Sequence, residues 1–119
     1  MGLDTSHDCW HGSYTSFHKW REWVAEKAGL PPLDTMEGFG GETPWRGIKT
    51  PLRYLLNHSD CDGQISGSRL LPIAEALEAI VGGLGSPVPI DEEWCAERSL
   101  QFASGLRLAH SRGEKVEFH

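Results

Sequence analysis

The chain has 119 residues, 39% of them hydrophobic and 24% charged, with a formal net charge of -6. That length supports a single domain over 1–119 with a core of its own. The acidic balance argues against a nucleic-acid polymer as partner, which needs clustered Lys and Arg. No stretch approaches the ~18 apolar residues of a membrane span. The first residues show neither a basic nor an apolar leader. The expectation is a cytoplasmic protein with no membrane partner and with reduced thiols at Cys9, Cys61 and Cys95.

Residues 2–12 read as a short extended piece and a loop. Ser13 then caps a helix from Tyr14 to Ala28, whose face is set by Phe17, Trp20, Val24 and Ala28 at spacings of three and four. Gly29 and Pro31-Pro32 end it. Residues 31–50 read as a long loop packed over the core, with Trp45 available to a ligand pocket. Thr50-Pro51 starts a helix that ends near Asn57. A further helix is predicted from Arg69 or Pro72 to Val81, stopped by Gly82-Gly83. Asp91 is expected to cap a last helix from Glu92 to about Ser111, with Trp94, Leu100, Phe102, Ala103 and Leu106 on its apolar side. Lys115 to His119 alternates like a strand, and its expected partner is the N-terminal piece. The predicted fold class is mainly α: a compact bundle of about four helices, with a small β pair joining the termini.

Two segments concentrate chemistry-bearing side chains. The first is His7-Asp8-Cys9-Trp10-His11 and the second is His58-Ser59-Asp60-Cys61-Asp62. Imidazole, thiolate and carboxylate are the groups that bind zinc and related ions. In extended geometry His58, Asp60 and Asp62 share one face. The expected metal ligands are therefore His7, His11, His58, Asp60 and Asp62, with Asp8 as a general base. Bland readings stand beside these: Asp8 and Asp60 as turn caps, Cys9 as a core residue, and a Cys9–Cys61 disulfide. Cys9, Trp10, Cys61, Trp45, Arg53 and His119 complete the expected ligand-contacting set. Arg46, Arg53 and Arg69 flank the second segment and suit a phosphate or carboxylate next to the metal, with solvated surface as the favoured bland reading of each.

Asp60-Cys61-Asp62-Gly63-Gln64-Ile65 resembles the centre of an EF-hand loop, but His58 and Arg69 stand where that loop needs Asp and Glu. His58-x-Asp60-x-Asp62-Gly63 is similar to the first metal motif of the DHH phosphoesterases, which implies manganese ligands and phosphodiester cleavage. The Asp-His-His triplet of that family is absent here. Over a longer span, Gly2-Leu3-Asp4-Thr5-Ser6-His7-Asp8-Cys9-Trp10-His11-Gly12, Leu56-Asn57-His58-Ser59-Asp60-Cys61-Asp62-Gly63 and Val116-Glu117-Phe118-His119 resemble short proteins of bacteria and their phages. That resemblance implies no particular activity.

Two functions follow as expectations. One is a metal-dependent hydrolase of a small, phosphorylated or nucleotide-like substrate, using a divalent ion (zinc or manganese before calcium) to activate water. The other is a module that holds such a ligand without turnover, by aromatic stacking and polar contacts. A third reading makes the two segments a structural metal or hydrogen-bond cluster.

Overall fold

A computed structural model describes residues 2–57, 63–65 and 67–118. Its N-terminal segment is a hairpin. Strand β1 (Gly2–Asp4) pairs antiparallel with β2 (His11–Ser13), so Asp4 lies opposite His11. Ser13 then caps helix α1 (Tyr14–Lys27), its Oγ accepting from the Ser16 N–H at 3.0 Å. The helix closes at Ala28, and Gly29 turns the chain away at a φ of 74°.

Helix α2 is a single turn, Arg53–Leu56. It is shorter than the predicted helix because Thr50 to Leu52 form turns first, with the Thr50 carbonyl accepting from the Arg53 N–H at 3.1 Å. The two-residue strand β3 (Gln64–Ile65) precedes helix α3 (Leu70–Gly82). Pro72 falls in the first turn of α3, where its missing N–H has no intrahelical carbonyl to lose. Helix α4 (Glu93–Arg112) starts after a 3-10 turn at Ile90–Glu92. Asp91 lies inside that turn and does not cap the helix, a correction to the sequence reading. Gly113, at a φ of 67°, ends α4.

The C-terminal strand β4 (Val116–Glu117) pairs along its length with β3. It also joins the N-terminal hairpin through a bridge between Thr5 and Phe118. The result is a mainly helical globule, with four α-helices among the described residues and small antiparallel pairs tying the termini to it. Among the described residues, no helix is long and apolar enough to cross a membrane.

The core is aromatic at its centre. Trp10 meets Phe17 edge-on at 5.1 Å and Trp20 at 5.3 Å, and Trp20 stacks on Phe102 at 5.1 Å. Trp20 keeps its indole N–H satisfied by donating to Ser99 Oγ at 2.9 Å. Ile73, Ala74 and Leu77 of α3 and Phe102, Ala103 and Leu106 of α4 are fully buried. Leu100 and Trp94 fall outside that face of α4, at 47% and 45% exposure. From the long loop, Leu33, Met36 and Trp45 reach back into the core. This loop is pinned by backbone contact: a Cβ on Gly41 would stand 2.0 Å from the Thr35 carbonyl carbon.

Candidate functional site

The first polar segment forms the turn of the hairpin. His7 and Asp8 both take positive φ, at 60° and 55°. A left-handed non-glycine residue costs energy that its surroundings must supply. Here they supply it through hydrogen bonds. The Thr5 and Trp10 backbones meet with an N···O distance of 3.0 Å, and the Trp10 N–H donates to Thr5 Oγ1 at 2.9 Å. The Gln101 amide donates to the Asp8 carbonyl at 2.8 Å. Gly105 of α4 lies so close that a Cβ there would sit 2.4 Å from Cys9 Sγ and 2.7 Å from the His7 carbonyl oxygen.

The imidazoles of this segment diverge. His7 sets Nδ1 2.8 Å from Ser6 Oγ and Nε2 2.8 Å from Glu114 Oε1. His11 lies between two carboxylates, Nδ1 at 2.9 Å from Asp4 and Nε2 at 2.7 Å from Asp8. Hydrogen bonds from Asp8 and then Asp4 raise the His11 pKa, because both favour the doubly protonated ring. With both nitrogens of each ring engaged, neither His offers a lone pair outward in this arrangement. Cys9 is fully buried, and desolvation pushes its thiol up to about 12, so it carries no thiolate at neutral pH. Trp10 is 2% exposed, with its ring spent on the core. Asp8 remains an exposed carboxylate bound to His11.

Among the described residues, no group of three His, Cys, Asp or Glu is placed to hold a metal ion. His58, Asp60, Cys61, Asp62 and His119 lie outside the described residues. The predicted meeting of the two segments therefore rests on the sequence alone.

A different constellation surrounds α2. Two adjoining hollows share Arg53, Tyr54 and Arg69 in their walls. The first, about 550 Å³, is completed by Ile48, Lys49, Thr50, Pro51, Ser68 and Pro72. The second, about 460 Å³, is completed by Trp45, Arg46 and Asn57. Both volumes fall within the range of small-molecule sites, ~300–1,000 Å³. The Arg69 guanidinium lies 3.9 Å and that of Arg53 5.0 Å from the centroid of the Tyr54 ring. Arg53 Nη2 also donates to the Tyr54 hydroxyl at 3.1 Å, and this bond lowers the phenol's pKa. Arg46, Lys49, Arg53 and Arg69 make no ion pair with a carboxylate among the described residues. No acidic residue is among the described residues lining either hollow.

Arg53 and Trp45 line the second hollow together with Arg46 and Arg69, away from Cys9 and Trp10, which are buried in the core. Lys49 and Tyr54 were missed, although Arg46, Lys49 and Arg53 already form a run of cations around Thr50-Pro51. The buried Arg21 was missed as well. Its guanidinium sits 4.6 Å from the Phe17 ring centroid and 5.1 Å from that of Phe39. Its Nη1 donates to the carbonyls of Leu56 at 3.2 Å and Leu55 at 3.5 Å. A cation at the C-terminal carbonyls of α2 favours the helix end and ties α1 to the wall that ends in Asn57.

No family model matches the chain, and neither a curated protein nor a solved structure does.

Proposed function

We propose that the protein binds a small phosphorylated ligand in the two hollows around Arg53, Tyr54 and Arg69. One observation carries this reading. A chain of net charge -6 gathers Arg46, Lys49, Arg53 and Arg69 around one pair of hollows with no described carboxylate among them. Like charges brought together repel, and an anion relieves that repulsion. Guanidinium groups match the oxygens of phosphate in pairs. Thr50 and Ser68 add hydroxyl donors to the first hollow, and the edge of Trp45 gives the second an apolar wall.

We take binding as the form of the function because cations and hydroxyl donors, the groups that hold an anion, line these hollows. Thermal unfolding in inorganic phosphate, against chloride at equal ionic strength, tests the reading. Phosphate at tenfold its dissociation constant stabilises the fold by about 1.4 kcal/mol, a rise of several degrees for a domain of this size. An unchanged melting temperature up to tens of millimolar phosphate would refute it. A nucleotide recovered hydrolysed after incubation with zinc or manganese would replace it with the metal-dependent hydrolase.

A further inference from the structure

We infer that the ligand carries two phosphoryl groups, one in each hollow, spanning the shared wall of Arg53, Tyr54 and Arg69. This rests on the phosphate-binding reading above and deepens it. The first ground is the layout of charge. Arg53 and Arg69 face both hollows, Lys49 faces only the first, and Arg46 faces only the second. Each hollow therefore has a cation of its own and a share in two more. The second ground is the way the shared pair is held. Both guanidiniums lie against one Tyr54 ring, which positions them, and neither pairs with a carboxylate among the described residues.

The third ground is the amount of charge. One phosphate monoester carries about -1.5 to -2 at neutral pH, so it compensates only half of four cations. Two phosphoryl groups compensate most of them. The polar groups are divided in the same way: Thr50 and Ser68 serve the first hollow and Asn57 the second. A nucleic-acid strand would also present this many phosphates. With four cations drawn to this one place, the remainder of the chain is more acidic than the whole, and a longer polyanion would run onto it. The layout of charge favours a small ligand with two phosphoryl groups, a diphosphate or bisphosphate, over a strand.

Isothermal titration of the whole protein with inorganic phosphate and inorganic diphosphate tests the inference. Diphosphate should bind about tenfold tighter or more, because it gains one further charge-assisted contact. Arg46→Gln and Lys49→Gln should each weaken both anions and narrow the ratio of diphosphate to phosphate affinity toward one, since each removes a cation that only the second phosphoryl group needs. Equal affinity for both anions would overturn the two-hollow inference and leave the phosphate-binding reading standing. Binding of neither anion would overturn both. Tighter binding of a short single-stranded RNA than of diphosphate would overturn the choice of a small ligand. Circular dichroism of the two variants confirms that they fold; both positions are exposed, so the fold is expected to be unchanged.

Discussion

The hairpin turn and the hollows around α2 are both polar, yet they are built on opposite rules. At the turn each imidazole has met a carboxylate. His11 lies between Asp4 and Asp8, and His7 reaches Glu114. Around α2 four cations stand together with no described carboxylate to meet them. A cluster whose members satisfy one another stabilises the chain that carries it. A cluster of one sign, two of whose members lie against one Tyr54 ring, spends stability and is relieved by something of opposite charge. Residue types alone favour the turn as the functional site, and the pairing of charges favours the hollows.

The comparison breaks most directly at the shared wall. Replacing Arg53 and Arg69 together with Gln should lower phosphate affinity about a hundredfold, since two charge-assisted bonds of ~1.5 kcal/mol or more are lost. Titration calorimetry reads the loss. The melting temperature without ligand should stay level or rise, because two like charges near one ring are removed. A large fall in ligand-free stability, with affinity retained, would show that these arginines hold the fold.

The opposite pattern is expected at the turn. A Cβ on Gly105 collides with Cys9 and the His7 carbonyl, so Gly105→Ala must push α4 off the hairpin. Overpacking of this kind costs about 1–3 kcal/mol. Denaturant unfolding should show that loss, and phosphate affinity should be unchanged because Gly105 lines neither hollow.

These two expectations also explain how far the sequence could be read. The long helices were legible because periodicity and caps are local: Phe17, Trp20 and Val24 set the face of α1, and Ser13 and Gly29 set its ends. The start of α4 was misread because Asp91 is a good cap by type, while the 3-10 turn at Ile90–Glu92 puts it one residue too early. Strand β3 was not foreseen, since two residues have no measurable period. At the site, His7 to His11 attracted attention by composition. What decides their role is the Asp4–His11 register and the approach of Gly105, both set by pairing between distant segments. Lys49 in its loop and Tyr54 on α2 were passed over because neither residue type carries a signal until its neighbours are known. The Arg46, Lys49 and Arg53 run was there to be counted, and what the sequence could not show was that no described acid stands opposite it.

The smallest expected effect separates the two regions by pH. The pKa of His11 is raised in the folded chain by Asp8 and Asp4 from its ordinary 6.5. A group whose pKa rises on folding contributes stability that is complete below the unfolded value and fades as pH rises through the folded one. His11→Gln should therefore be less stable than the parent near about pH 6, where the ring is charged and both carboxylates are ionised, and should match it by about pH 8 to 9. The ring is half exposed and solvent screens the pair, so the gap will be modest. Melting temperatures of the two proteins across that range measure it. A gap that persists unchanged at high pH would mean that His11 acts through packing or neutral hydrogen bonds. Phosphate affinity, corrected for the ionisation of phosphate itself, should not follow this titration. If it did, the turn and the hollows would be one coupled site, and the division between self-satisfied and unpaired charge would no longer mark where the ligand binds.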